Sequence, residues 1–597
     1  MATLTQAPEQ LPVAPRERRE RRWMWAVVEW LRDHWLSIAI AGALLWVIGI
    51  PLLSAISYSF RTGSPADPGG FTLQNYKDAY ANPLTGQTLV NTFIVAVAVS
   101  AIALTIATFF AWLVERTDVP GRSFAWVVML LPLAMPGMLS AMGWILLLSK
   151  KIGVVNIAIR GVLGVFGVHM TTGPFDIYSR YGIILVEATR SSTALFLMMV
   201  AAFRLMDPAL EEAAAMSGAG TGRTLRSVTL KLMAPAIIAA GMYSLVGNME
   251  DLEVPLMIGV PAGVFLLPTL IWFTGNASNW GLSSAYTTIF LVITIAMVVI
   301  YYRAVLRRSG NFAVITGKAY RPRRMSLGRW RWPAFGLFLA FFILSIVLPI
   351  GVLVWASLLP VYEVPSSDAL HHLTLSNYTA LPHIAGIAHT VWNTISLAAE
   401  TATATMILAF LVAWLVIRQR VRGGITLDAL AFVPHAIPSV AVAVALIAFY
   451  LNPALRWSHV YGTVTIMVLA LITRFMTFAS RTANSAMAQL GKELEEVSYV
   501  SGVGRLRTLT RITFRLLSPA FIAGWIWVAA NSIRNLTVPL MLSTSDNGTI
   551  ATNLYFAWQR RADFSGASAL GVALVAFLAL LAIAGRRVIA SGYSDAK

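Results

Sequence analysis

The sequence predicts an all-α membrane protein of twelve transmembrane helices, arranged as two six-helix units that repeat in parallel. Of its 597 residues, 57% are hydrophobic and only 12% are charged, with a mean hydropathy of +0.70. Soluble domains carry about 25% charged residues, so a water-soluble globular fold is excluded. Two further observations complete the prediction: twelve apolar runs long enough to cross a bilayer, and residues that recur at constant offsets between the two halves.

The twelve apolar runs define the spans, which we number one to twelve. Span one is too long for a signal-peptide core and lacks a small-residue cleavage site behind it, so we expect it to be retained. Proline pairs predict kinks in span three, at Pro132 and Pro136, and in span nine, at Pro434 and Pro438, because proline removes a backbone hydrogen bond. The spans lie near residues 37–60, 89–114, 123–147, 182–205, 234–259, 284–306, 333–358, 389–417, 427–450, 461–484, 518–543 and 565–585.

The positive charges predict the orientation of the chain. The net charge is +18, and placing the N-terminus in the cytoplasm puts most Lys and Arg residues in cytoplasmic segments, most densely between Arg303 and Arg331. Membrane topology therefore accounts for the basic charge without a nucleic-acid partner. The chain has no cysteine, which excludes disulfides and thiolate chemistry.

Matched segments indicate a tandem duplication. The sequence AWLV at 111–114 recurs at 413–416, an offset of 302 residues, whereas VPLM at 254–257 recurs at 538–541, an offset of 284. The first half thus holds 18 extra residues, most simply in the outer segment 148–181. Because six is an even number, both units enter the membrane from the same side, which makes the repeat parallel.

The repeat and the charge pattern predict the domain organisation of the chain. It consists of a disordered basic tail (1–36), a first six-span unit (37–306), a basic linker (307–332), a second six-span unit (333–587) and a C-terminal tail (588–597). Both tails and the linker are predicted to be cytoplasmic.

The best-matched part of the two halves is a predicted cytoplasmic loop. Loop one reads LEEAAAMSGAGTGRTLRSVTLKLMAPA (210–236) and loop two reads LEEVSYVSGVGRLRTLTRITFRLLSPA (494–520). Loops usually diverge faster than spans, so the match indicates a shared protein partner on this face. Each loop is predicted to form a short helix with Glu at its start, then a glycine turn, then an amphipathic helix. The candidate partner-binding residues are Glu211, Glu212, Ala213, Ala214, Gly218 and Gly220 in loop one, and Glu495, Glu496, Gly502 and Gly504 in loop two.

At these loops the chain resembles the inner-membrane permeases of binding-protein-dependent ABC importers. The signature of that family is Glu-Ala-Ala, three residues, Gly, nine residues and Ile-x-Leu-Pro. Loop one matches it at 212–214 and Gly218, and loop two matches more loosely at Glu496 and Gly502; both replace the terminal proline by a basic residue. A fused pair of six-span units looks most like the branch that imports ferric iron, thiamine, polyamines and aminoalkylphosphonates.

The resemblance implies a multi-pass protein of the bacterial inner membrane, with both termini in the cytoplasm. It also implies two copies of an ATP-binding subunit on the two loops and a periplasmic solute-binding protein. ATP and Mg would bind the partner subunits, so we expect no cofactor and no enzymatic activity on this chain; the segment 217–224 lacks the spacing and lysine of a phosphate loop. The solute would be ferric iron, or another small cation or a phosphonate.

Ionisable residues inside the spans are candidate pathway residues. A charge at the bilayer centre costs about 2.5–3.5 kcal/mol and therefore requires a partner or a cavity. In one interpretation these groups line the pathway; in the other, Arg534 pairs with span-five carboxylates and Arg190 with Glu187, holding the halves in register. The acidic groups favour a cationic solute and the arginines an anionic one, and no metal-ligand spacing is present. The set is Glu187, Arg190, Glu250, Asp251, Glu253, Arg474, Arg534 and Asn535.

A secondary carrier of the major facilitator type is the alternative, because it also has two parallel six-span halves. Its usual mark is a basic Gly-Asp-Arg motif between spans two and three. The loop here reads ERTDVPGR at 115–122, which matches poorly and has no counterpart at 418–424. An integral-membrane enzyme is a third hypothesis, but the sequence offers no nucleophile, metal or acid-base cluster for it.

Overall fold

The computed structural model describes residues 35–207, 209–304, 324–491 and 493–594, and within them the chain is helical, with isolated bridges but no strand. Ten of the described helices are long and apolar enough to cross a membrane, and they correspond to spans one, two, four to eight and ten to twelve. They are Trp35–Tyr58, Pro83–Arg116, Arg180–Leu205, Gly222–Glu250, Trp280–Ile300, Gly328–Ser357, Ile387–Arg418, Val464–Gln489, Leu509–Arg534 and Phe564–Ala584.

Spans three and nine are broken rather than continuous. Span three consists of Arg122–Ala134 and Gly137–Leu148, which meet at an angle of 100°. Span nine repeats the pattern with Gly424–Phe432, a 3₁₀ turn at Val433–Ala436 and Ser439–Tyr450. The predicted proline pairs lie at these breaks, because proline cannot supply the N–H that a continuous helix needs. The kinks predicted for spans three and nine are thus breaks in the helix, beside ten continuous candidate crossings among the described residues.

The helical segment that follows each break lies in the core. Every residue of Ser439–Tyr450 is buried, as are residues 137–147 in the first half. An apolar helix buried on all sides belongs to the protein interior rather than to the lipid-facing surface. Span seven packs closely here: a Cβ on Gly143 would lie 2.6 Å from the carbonyl oxygen of Pro349.

The first span of each half packs against the opposite half. In span one, the Trp46 indole N–H donates to the Tyr450 hydroxyl at 3.2 Å, and its ring meets Phe449 edge-on. In span seven, Phe338 stacks on Phe110 of span two, with ring centroids 4.5 Å apart. This exchange interlocks the two units, so that separating them would expose apolar surface on both.

Spans five and eleven begin and end earlier than predicted. Their helices end at Glu250 and Arg534, and the expectation that they continue unbroken to residues 259 and 543 is wrong. Pro255 and Pro539 lack the N–H that would bond back to residues 251 and 535, which accounts for the interruption. The chain continues in the short buried helices Pro255–Gly259 and Thr537–Leu542.

The extra outer segment of the first half contains the helix Val154–Val165. The buried Asn156 amide fixes this helix, donating to the carbonyls of Leu148, Ser149 and Phe175 at 2.9–3.1 Å. At the other end of the chain the last helix extends to Ser594, so most of the predicted C-terminal tail is helical. Most of the predicted N-terminal tail and linker lie outside the described residues.

Candidate functional site

Loops one and two share one backbone geometry. Each starts with a short helix, Ala209–Met216 or Glu493–Val500. Gly218 and Gly502 then adopt the same φ of +80°, a left-handed conformation that favours glycine. The next helix begins three residues later in each loop, at 221 and 505. This geometry agrees with the helix, glycine turn and second helix predicted from the sequence.

The two adjacent glutamates of each loop lie in opposite environments. Glu212 and Glu496 are exposed, whereas Glu211 and Glu495 are buried, with 6% and 5% of their surface accessible. A buried carboxylate requires compensating partners. The sequence-based prediction grouped all four as candidate partner contacts, but burial separates the first glutamate of each loop from the second.

Glu211 is held by two neighbouring residues that the sequence-based list omitted. The Thr229 hydroxyl donates to Glu211 Oε1 at 2.6 Å, and Arg116 Nε lies 3.1 Å from Glu211 Oε2. The same guanidinium donates to the carbonyls of Phe203 and Met206 at 3.0 Å. We call Arg116, Glu211 and Thr229 clamp one; it joins loop one to the ends of spans two and four and the start of span five.

Clamp two consists of Arg418, Glu495 and Thr513 and repeats this arrangement. The Thr513 hydroxyl donates to Glu495 Oε1 at 2.8 Å, and Arg418 Nε lies 3.6 Å from the same oxygen. Arg418 also donates to the carbonyl of Leu490. The repeat offsets were the signal that could have found the clamps, since the two arginines lie 302 residues apart and the two threonines 284.

The other candidate residues of the loops lie on the outward face. Ala213 is exposed and Ala214 is half-buried. A Cβ added at Gly218, Gly220, Gly502 or Gly504 would meet no atom within 4 Å. Large apolar side chains lie beside them on the same short helices and are also exposed: Leu210 and Met216 in loop one, and Leu494, Val497 and Val500 in loop two.

Arg190 is the centre of an ion-pair group inside the first half. Its Nη2 lies 2.8 Å from Glu187 Oε2 and also contacts the carboxylate of Asp251. The predicted pairing of Arg190 with Glu187 is therefore present, with Asp251 as a second partner. The adjoining cavity, lined by Thr189 and Arg190 among others, holds about 10 Å³, room for about one water.

Glu253 bridges the two halves. Its Oε2 accepts the backbone N–H of Met138 at 3.3 Å, and its Oε1 accepts that of Leu536 at 3.1 Å. Both N–H groups lie at the starts of the short helices that follow the breaks, where free donors and the helix dipole favour a carboxylate. Gly137 permits this approach, because a Cβ there would lie 2.6 Å from Glu253 Oε2.

The predicted pairing of Arg534 with span-five carboxylates is wrong. Its guanidinium instead donates to the carbonyl of Leu133, in the break of span three, and to Asn531 Oδ1. The break explains this choice, because it leaves backbone carbonyls without helical donors. Arg474 Nη1 and Glu250 Oε1, 3.7 Å apart, instead form an ion pair between spans ten and five, and thus between the halves.

Asn535, the remaining candidate, caps a helix. Its Oδ1 accepts the backbone N–H of Val538 at 3.0 Å, at the start of the helix Thr537–Leu542. In this conformation the intramembrane candidates thus bond to one another and to broken backbone. Among the described residues, no group of three or more His, Asp or Glu side chains is arranged to hold a metal ion.

Comparison with known proteins identifies the family. Residues 405–592 match the family model described as the binding-protein-dependent transport system inner membrane component. The Fe(3+)-transport system permease protein FbpB 2 of Haemophilus influenzae is 23% identical over 91% of this chain and 96% of its own length. The chain is a fused ABC importer permease. The permease is also 23% identical, over 77% of its residues and 70% of the relative, to the putative ferric transport system permease protein FbpB 1 of the same organism.

The solved structures include a bacterial ABC transporter involved in the import of the acidic polysaccharide alginate. One of its chains matches 44% of the permease and 97% of its own length, at 17% identity and a TM-score of 0.36. The family match and the ferric relatives do not favour the major facilitator alternative.

Proposed function

We propose that the permease forms the pathway by which an ABC importer carries ferric iron across the bacterial inner membrane, with each loop receiving one ATP-binding subunit. The observation that carries this proposal is the pair of loops with one backbone geometry. Two matched surfaces on one chain suit two copies of the same partner. A periplasmic solute-binding protein would deliver the iron on the opposite face, and both termini would lie in the cytoplasm.

The outward face of each loop helix supports the docking. Met216 and Val500 are 85% and 90% exposed, next to Glu212 and Glu496, and the glycines behind them leave open space. A short helix with apolar side chains and one carboxylate fits a hydrophobic groove with a basic rim. ATP and Mg would bind the partner subunits, where hydrolysis would occur, and closure of those subunits would bring the two loops together.

A cationic solute is supported by the carboxylates of the first half. Glu187 and Asp251 share Arg190, and Glu250 pairs with Arg474, so that three carboxylates meet two guanidinium groups while the network is closed. Separation of the halves would pull Glu250 away from Arg474 and leave a carboxylate for a passing cation. Both Haemophilus relatives are named as ferric-iron transport permeases, which supports ferric iron as the specific cation.

Reconstitution tests this function. The permease and its ATP-binding subunit, placed in proteoliposomes with iron-loaded binding protein outside, should accumulate radiolabelled Fe³⁺ only when ATP is enclosed. The matched control is the permease alone with an imposed proton gradient, which should accumulate none. Uptake by the permease alone would contradict the proposal, and ATP-driven uptake of a phosphonate, thiamine or a polyamine in place of Fe³⁺ would contradict the choice of solute.

A further inference from the structure

The buried glutamates of the loops cannot meet an external subunit, yet each is bound to three parts of its own half. We propose that clamps one and two are the joints that pass movement of the loop helices into the spans, with Glu211 and Glu495 as positioning residues. This inference rests on the proposed function. It divides each loop into a contact face, represented by Glu212 and Glu496, and a buried joint.

The chemistry of a clamp resists opening. The carboxylate of Glu211 takes one hydroxyl donor and one guanidinium, and the rest of that guanidinium holds backbone carbonyls at the end of span four. Arg116 and Glu211 are only 2% and 6% exposed, so pulling them apart would leave a charge without water or partner. When the loop helix moves, the ends of spans two and four should therefore move with it.

Recurrence in both halves supports a role beyond one local fold. The short helices differ in sequence, AAAM at 213–216 against VSYV at 497–500, yet the buried Glu, the Arg at the end of a span and the Thr at the start of another are the same. The second clamp is as buried as the first, since the side chains alone of Arg418 and Glu495 are 4% and 7% exposed. The clamp residues thus recur although neighbouring residues of the short helices have changed, as expected if both clamps perform the same task.

The decisive comparison sets clamp variants against contact-face variants in the reconstituted complex. Glu211→Gln with Glu495→Gln alters the clamps, and Glu212→Gln with Glu496→Gln makes the same change on the exposed neighbours. Clamp variants should bind the ATP-binding subunit and hydrolyse ATP as the parent does, while transported iron per ATP falls at least about fivefold, the lower bound of a typical coupling energy. Contact-face variants should weaken subunit binding but keep the parent ratio of iron to ATP once assembled.

A milder pair of substitutions tests the same proposal if a buried Gln prevents folding. Thr229→Val with Thr513→Val removes the hydroxyl donors and leaves the ion pairs, so a smaller fall in the same ratio is expected. The absence of native cysteine permits spin labels at Ser217→Cys and Ser501→Cys, which are exposed at the ends of the two short helices and are not among the proposed contact residues. The ATP-driven change in distance between the labels should persist in the threonine variants although transport falls.

Two outcomes would contradict the proposal that the clamps pass movement from the loops into the spans. One is an unchanged ratio of iron to ATP in both sets of clamp variants; the other is loss of subunit binding in proportion to loss of transport, which would make the clamps part of the docking surface or of folding alone. Failure of the proposed function is distinguishable, because the parent complex itself would then show no ATP-driven iron uptake.

Discussion

Clamps one and two have the same three residue types but differ in how firmly they are held. Arg116 lies 3.1 Å from its glutamate and binds two carbonyls, whereas Arg418 lies 3.6 Å from its own and binds one. Clamp one is also tied to the segment that leads into span seven: the Met325 N–H donates to the Arg116 carbonyl at 2.9 Å. The duplicated unit has kept its clamp, but within the described part of the chain only the first copy connects directly to the junction between the halves.

The centre of the membrane domain shows the opposite behaviour. Positions that match in the alignment of the repeats differ in charge there. Glu250, Asp251 and Glu253 of the first half correspond to Arg534, Asn535 and Thr537 of the second. A pair of identical partners constrains both loops alike, whereas one shared pathway needs each central group only once. The loops, which are alike in the two halves, therefore fit a role in binding identical partners, whereas the central charged positions, which differ, fit a role inside the protein.

The largest effect is expected where this central asymmetry is greatest. Glu253→Ala removes a charged acceptor from two helix starts, one in each half, and should cost about 3 kcal/mol of stability, since hydrogen bonds to charged groups contribute about 1.5–3 kcal/mol each. The matched change in the second half, Thr537→Ala, should cost less than about 1 kcal/mol. Thermal unfolding of the two purified variants in detergent measures the difference; equal losses would show that Glu253 is not a bridge.

The next effect distinguishes the clamps from each other. Glu211→Gln alone should reduce iron transported per ATP more than Glu495→Gln alone, by about twofold or more, because clamp one has more bonds and a link to the junction. Single-variant complexes in the same proteoliposomes give the two ratios side by side. A larger loss from Glu495→Gln would reverse the assignment of the stronger joint.

Local features of this permease were predictable because their causes are local. A proline interrupts a helix wherever it lies, so the breaks of spans three and nine followed from Pro132, Pro136 and their repeats. The glycine turns of the loops followed in the same way from Gly218 and Gly502, which need no distant partner to adopt their conformation.

Pairings between distant residues were not predictable, because they depend on how the spans pack. Span one crosses to the second half and span seven to the first, an exchange that hydrophobic patterning cannot reveal. For the same reason Arg534 was matched with the wrong partner: equivalence in a repeat places two residues at related positions, not in contact. The burial of Glu211 was equally unpredictable from the sequence, since its neighbour Glu212 has the same side chain but is exposed.

The smallest expected effect concerns the ion pair between Arg474 and Glu250. Arg474 and Glu250 join spans ten and five, and polar contacts between membrane-spanning helices contribute about 0.6 kcal/mol on average, so the pair should contribute about 0.5–1 kcal/mol. Reversing both charges, with Arg474→Glu and Glu250→Arg together, should recover about that much of the summed losses of the single variants. Arg534→Glu combined with Glu250→Arg should instead be additive to within about 0.5 kcal/mol, because those two side chains do not meet. Since both double variants share the change at Glu250, an equal recovery in the two thermal-unfolding cycles would mean that a long-range field, rather than the contact between spans five and ten, links the halves.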